Sequence, residues 1–328
     1  MFKHILMAVA NPEVRSSAAI NKAGDLALAT GAKLQLFHDM AAPVMLEELG
    51  PGARGLAKAR HEGEAAAQRE LERLAAPLRA RGIQVTTHAA WDFPPHEAIV
   101  RQAVRTEADL VVIDPQHRHR LPGLMGYNDW ELLRECPVPL LLIKGRKPLA
   151  RAPVLAAVDP SHAYAKPSGL DGDILETARG CAKALRGALH VVHAYQALPL
   201  MLRAAAAEDA ELAATASAES RRKARARFEA LLADSGVGPR NRHLIESHPA
   251  DAIATAARRV RAGLVVMGSV SRSGLKRLFI GNTAERLLDD ISCDVLVLRP
   301  RAFRNRVPRK SRGLRLISAA ALAQQPMY

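Results

Sequence analysis

One internal repeat limits the fold of this chain more than any other feature. Residues 5–12 (ILMAVANP) match 154–161 (VLAAVDPS), and 34–38 (LQLFH) match 189–193 (LHVVH). Residues 109–114 (DLVVID) match 263–268 (GLVVMG), and 136–144 (CPVPLLLIK) match 293–300 (CDVLVLRP). Each match is a short β-rich apolar run, and the four occur in the same order in both halves. A unit of about 150 residues repeated once is a duplicated domain, because solenoid repeats are far shorter. The length of 328 residues leaves room for two such domains. The junction falls at 144–153 (KGRKPLARAP), which is basic and bounded by prolines.

Helical patterns lie between the apolar runs. In 16–30, Ala19, Ala23, Leu26 and Ala27 share one helix face. Residues 62–81 and 208–233 are rich in helix formers. Residues 96–106 and 250–261 each follow a proline and carry an early acid, Glu97 or Asp251, as helix starts prefer. Each half therefore reads β-α-β-α-β-α-β-α-β. The strands are continuous apolar runs, the pattern of parallel strands buried on both faces. The expected fold is α/β: two tandem Rossmann-like domains, each an open five-stranded parallel sheet flanked by helices. The expected bounds are 1–146, 152–300 and a basic, disordered tail at 301–328.

Charge and cysteine content narrow the setting. The tail holds seven Lys and Arg and no acid, half of the formal net charge of +14. A solvated end accounts for that charge, and nucleic acid is not an expected partner. Cys136, Cys181 and Cys293 make no CxxC and no Cys/His pair with ligand spacing, so each reads as a small buried apolar residue in a reducing cytoplasm. MFKHILMAVA lacks the features of a signal peptide, and no apolar stretch is long enough to span a membrane.

The most informative loop is 265–288, VVMGSVSRSGLKRLFIGNTAERLL. Its strand ends at Met267-Gly268, where glycine permits a tight departure or a close backbone approach. Gly281-Asn282-Thr283 precedes a helix near Ala284, whose free N–H groups and partial positive charge suit a phosphate. Arg272, Lys276 and Arg277 add charge between them. A plain helix cap accounts for Asn282 and Thr283 equally well. No GK[ST] occurs, and no GxGxxG follows the first strand.

Gly268-x2-Ser271-x9-Gly281-Asn282-Thr283 resembles the G-x2-G-x9-G-[ST] nucleotide loop of the universal stress protein family. Val158-Asp159 is similar to that family's first-strand aspartate near the adenine and ribose. His117-Arg118-His119-Arg120-Leu121, Asp129-Trp130 and Cys136-Pro137 resemble the first half of its tandem, E-type members. The resemblance covers the whole tandem layout. It implies an adenine-nucleotide α-hydrolase-like fold with ATP, accompanied by Mg, in the second half as a regulatory ligand. Val158, Asp159, His193, Met267, Gly268, Ser271, Gly281, Asn282 and Thr283 would line that site. It also implies a pseudo-dimer of the two domains within the chain, and a homodimer is the further assembly expected. Ser271 and Asn282 depart from the pattern, which has glycine and Ser/Thr there. Serine adds a side chain at a close-approach position, yet both residues keep hydrogen-bond donors.

The first half carries a degraded copy. Asp114 stands where Gly268 does, Tyr127 where Gly281 does, and Asn11 where Asp159 does. Pro115 and Pro122 stiffen its loop, and a carboxylate at Asp114 opposes phosphate. His117 and His119 have no evident third ligand, and no metal site is expected. No G-x-S-x-G or HExxH occurs, so no enzyme is expected beyond incidental ATP hydrolysis. A scaffold or apolar-ligand binder is the alternative, favoured by the Ala/Leu-rich inserts 41–60 and 198–216.

Overall fold

A computed structural model of the chain describes residues 1–40, 44–45, 53–115, 127–161, 169–196, 210–269, 288, 290–313 and 316–317. Two compact units divide it. The first holds Phe2–Ile143 together with Arg304–Tyr328, and the second holds Lys144–Phe303 with Met1.

The first unit runs β1 (His4–Ala8), α1 (Ala18–Thr30), β2 (Lys33–Asp39), β3 (Val44–Met45), α2 (Ala53–Ala80), β4 (Val85–Ala90), α3 (Pro95–Arg105), β5 (Leu110–Ile113), α4 (Tyr127–Glu135) and β6 (Leu140–Leu142). Five strands pair in parallel in the order β4-β2-β1-β5-β6. Ile5, Leu6, Leu34, Leu36, Leu110 and Ile113 are fully enclosed. Burying each stabilises the unit by roughly 1.5–3 kcal/mol. Helix α1 begins at Ser17, whose Oγ accepts from the Ile20 N–H at 3.4 Å, and all four of its predicted core residues are buried. Pro95 opens α3 with Glu97 in the first turn, so the missing proline N–H costs nothing there and the acid meets the helix's positive end.

Helix α2 starts nine residues earlier than the 62–81 pattern implies, at Ala53. Residues 53–60, expected as part of an insert walling an apolar cavity, are helical instead. The local reason is a run of helix formers braced by the i,i+4 pairs Lys58–Glu62 and Arg60–Glu64.

The second unit repeats the plan: β7 (Val154–Val158), α5 (Leu170–Leu185), β8 (Leu189–Tyr195), α6 (Ala210–Leu232), a 3-10 turn (Pro239–Asn241), β9 (Arg242–Glu246), α7 (Pro249–Val260), β10 (Leu264–Gly268) and β11 (Asp294–Leu298). Its strands pair in parallel in the order β9-β8-β7-β10-β11. The second insert, 198–216, is helical from Ala210 onward. The junction is pinned from this unit: the buried Asp294 Oδ1 accepts from the backbone N–H groups of Lys144 and Gly145 at 2.9 and 2.8 Å.

In each unit the chain leaves the first strand, steps outward through two more, and returns to the far side of the first. The strand order therefore switches between β1 and β5, and between β7 and β10. A crevice opens beyond their carboxyl ends, where such sheets bind ligands.

Residues 304–313, expected as part of a disordered tail, are instead held against the first unit. The Arg312 N–H donates to Asp92 Oδ1 at 2.9 Å, and its guanidinium donates to both Glu97 oxygens at 3.1 and 2.6 Å. Val307 is buried. Farther on, β12 (Leu316–Ile317) pairs in parallel with β3. The basic composition that reads as solvation is, at Arg312, charge matched to two enclosed carboxylates.

Cys136 and Cys181 are buried and Cys293 is half-buried. Burial pushes the Cys181 thiol up to about 12, which leaves it inert. Among the described residues no helix is long and apolar enough to cross a membrane.

Candidate functional site

The second unit's crevice begins where β7 ends. Val158 pairs in register with His193 of β8. Asp159 follows, and its N–H donates to Asp171 Oδ1 at 3.0 Å. Asp171 is buried in the first turn of α5, so its side chain fixes the path of the chain as it leaves the strand. Asp159 itself is half-buried at the strand end.

His193 is 1% exposed. Its Nδ1 lies 3.2 Å from the Val158 carbonyl and its Nε2 3.3 Å from Ser161 Oγ, while the ring leans on Phe228. A carbonyl only accepts, so Nδ1 carries the proton and Nε2 accepts from the serine hydroxyl. Both ring nitrogens are committed to protein groups. The repeat holds a matching histidine: His38 Nδ1 donates to the Val9 carbonyl at 2.8 Å. A residue that makes the same bond in both units ties the ends of two strands together whether or not a nucleotide loop follows.

Met267 and Gly268 end β10. A Cβ on Gly268 would lie 2.7 Å from Leu170 Cδ2 and 3.2 Å from Ile174 Cδ1. The glycine therefore lets α5 pack on the strand end, a reason that sequence reasoning assigned instead to chain departure or ligand approach. Ser269 comes next, and its N–H donates to the Leu298 carbonyl at 2.9 Å. Its Oγ accepts from Arg299 Nη1 at 2.7 Å, and the guanidinium lies 4.7 Å over the Phe303 ring. A stacked, hydrogen-bonded arginine thus stands at the carboxyl ends of β10 and β11. Asp171, Ser269 and Arg299 were not singled out from the sequence. The signal for Arg299 was present, as a cation directly after the last apolar run. Ser271, Gly281, Asn282 and Thr283 lie outside the described residues, as do Arg272, Lys276 and Arg277.

The first unit's crevice is lined by Met7, Val9, Asn11, Ser17, Ile20 and Asp114. Asn11 Oδ1 accepts from the Glu13 N–H at 2.9 Å and so shapes its own turn. Asp114 is buried in the position that Gly268 holds in the second unit. The walls are mostly apolar, and the charged group is a carboxylate. His117 and His119 lie outside the described residues.

Comparison with known proteins bears on the family and the fold. The family model described as the universal stress protein family matches twice, over residues 1–144 and 153–299. The universal stress protein E homolog of Haemophilus influenzae is 29% identical over 222 residues, which is 66% of this chain and 71% of the relative. Universal stress protein E of Escherichia coli K12 is 29% identical over 235 residues, 69% of this chain and 72% of the relative. A Pseudomonas aeruginosa PAO1 crystal structure of unknown function covers 92% of this chain and 93% of its own, with TM-score 0.69 and 25% identity. A universal stress protein structure from Archaeoglobus fulgidus covers 90% of this chain and 98% of its own, with TM-score 0.60 and 17% identity, and shows the fold. With the duplicated 3-2-1-4-5 sheets, the paired switch-point crevices and two matches of one family model along its length, the chain belongs to the universal stress protein family.

Proposed function

We propose that this stress-response protein binds an adenine nucleotide, ATP with Mg, at the switch point of its second unit and uses it as a regulatory ligand. One observation carries the reading: the polarity of that crevice. Asp159 directly follows β7, while Ser269 and Arg299 directly follow β10 and β11. Strands β7 and β11 flank β10, so about 10 Å separates their ends. That is room for a ribose at the carboxylate and phosphates at the guanidinium. The Arg299 fork, already oriented by Ser269 and Phe303, is suited to phosphate oxygens. Gly281, Asn282 and Thr283 would add backbone and side-chain donors at a helix start. The first unit has the opposite endowment, with Asp114 and an apolar wall, and takes no nucleotide.

Calorimetric titration of the full chain with MgATP tests this. Saturable binding at one site is expected. Asp159→Ala and Arg299→Ala should each weaken it about tenfold, the loss of roughly 1.4 kcal/mol. Gly281→Val should abolish it, and Asp114→Ala should leave it unchanged. An absence of saturation at millimolar ATP overturns the nucleotide reading. The apolar lining of the first unit's crevice then favours the second reading, a binder of apolar small molecules. Native mass spectrometry of protein purified from cells would show such a ligand directly.

A further inference from the structure

A second polar cluster lies between α3 and α4 of the first unit. His96 is the second residue of α3, Glu131 and Glu135 stand one turn apart on α4, and the α3–α4 packing brings them together. One imidazole nitrogen and one oxygen from each carboxylate all lie within 4.8 Å of one another. We propose that His96, Glu131 and Glu135 form a binding site for a divalent cation of the zinc class.

Four observations carry this. The first is donor chemistry: one imidazole and two carboxylates from facing helices suit zinc and its neighbours in the first transition row. The second is geometry. Zinc–nitrogen and zinc–oxygen bonds of about 2.0–2.2 Å put tetrahedral ligand atoms roughly 3.3–3.5 Å apart. His96 Nε2 and Glu135 Oε2 are 3.6 Å apart, close to that value. Glutamate rotamers can close the remaining gap to Glu131. The third is orientation. His96 Nδ1 lies 3.2 Å from Asn128 Oδ1. With the amide oxygen accepting, Nδ1 holds the proton and the Nε2 lone pair is turned to Glu135. Metal-binding histidines are commonly fixed by such a carbonyl on the other nitrogen.

The fourth observation is electrostatic need. Glu135 Oε2 is enclosed and accepts no hydrogen bond. Arg134 compensates Glu131 through a 2.6 Å bond to its Oε1. A cation at Nε2 would compensate Glu135 in the same manner, and the negative end of α4, at Glu135, favours positive charge there. The three protein ligands leave a fourth position for water or for a group from another molecule. No motif signals the cluster in the sequence, because His96 and the glutamates are more than thirty residues apart.

The test uses the full chain, stripped with a chelator and dialysed. Zinc is titrated in competition with a chromophoric chelator, and cobalt absorption reports the ligand geometry. Other histidines will bind zinc weakly, so the readout is the tightest equivalent. That equivalent should weaken at least tenfold in His96→Ala and in Glu135→Gln, with loss of the cobalt bands, and should persist in His243→Gln. Asn128→Ala should weaken it about 10–100-fold as a positioning residue. If His96→Ala fails to fold by circular dichroism, Glu135→Gln, which keeps the side-chain shape, decides alone. Failure of the wild-type chain to bind zinc or cobalt, or binding in Glu135→Gln equal to wild type, overturns the proposal.

Discussion

Replacing Arg101 with methionine should destabilise the first unit more than any change at the basic tail that packs beside it. The Arg101 guanidinium is bidentate to Asp92, with bonds of 2.7 and 2.8 Å, and donates to Glu97 at 2.8 Å and to the Phe93 carbonyl at 3.1 Å. Arg101, Asp92 and Glu97 have side chains only 6%, 8% and 12% exposed, whereas Arg312, which joins from the tail, is 48% exposed. Methionine keeps the length of the side chain and removes the charge. Two enclosed carboxylates are then left with one half-exposed partner. Breaking a buried ion pair from one side costs about 3–5 kcal/mol, because the remaining charge is still desolvated. For a unit of this size about 2–4 °C is lost per kcal/mol, so the fall should be roughly 6–20 °C. Arg312→Ala removes charge-assisted bonds in partial solvent and should cost only about 1–2 kcal/mol. The chain's two tryptophans, Trp91 and Trp130, both lie in the first unit. Tryptophan fluorescence during urea unfolding therefore reports on that unit alone. The triple change Asp92→Asn, Glu97→Gln, Arg101→Met removes all three charges together and should recover much of the loss. If Arg101→Met costs under about 1 kcal/mol, or the triple variant is no more stable than the single one, the network does not act as a desolvated ion cluster.

Two further outcomes follow from the second unit. Gly268→Ala places a methyl group against Leu170 and Ile174, so urea unfolding should show a loss of about 1–3 kcal/mol, typical of overpacking; an unchanged midpoint would return the glycine to a role in ligand approach. His190 Nδ1 and His243 Nε2 meet at 3.1 Å, and burial, foremost, holds both rings below their ordinary value, with the charges of His190 and Arg259 adding to the effect at His243. The unfolded chain then takes up protons first, so stability should be kept above about pH 6.5 and fall as pH drops below it through the lowered folded values. His243→Gln should flatten that part of the curve when unfolding is measured from pH 7.5 to 5, and an unaltered slope would show that other groups set it.

Much of the fold was legible in the sequence because its determinants are local. Strand runs such as 110–113 and 264–267 are apolar at every position, which is what burial on both sheet faces requires. Pro95 with Glu97, and Pro249 with Asp251, mark helix starts through backbone geometry and the helix dipole, both set within one turn. Duplication then carried each assignment from one half to the other, and the switch-point crevices followed from the strand order. Of the residues at the strand ends that face the second unit's crevice, Asp159 and Gly268 were singled out by motif, whereas Asp171, Ser269 and Arg299 were not.

What the tertiary structure decided are the relations between residues distant in the chain. Gly268 is small because Leu170, almost a hundred residues earlier, occupies the space its Cβ would need. His193 faces Val158 and Ser161 because β8 lies beside β7 in that register. Arg312 reads as one cation of a solvated tail until Asp92 and Glu97, more than two hundred residues away, are seen to be enclosed and to accept its bonds. Periodicity and capping depend on neighbours a few residues apart, so the chain displays them directly. Charge pairing and steric exclusion depend on which surfaces meet, and only the packing of helices against each sheet determines that.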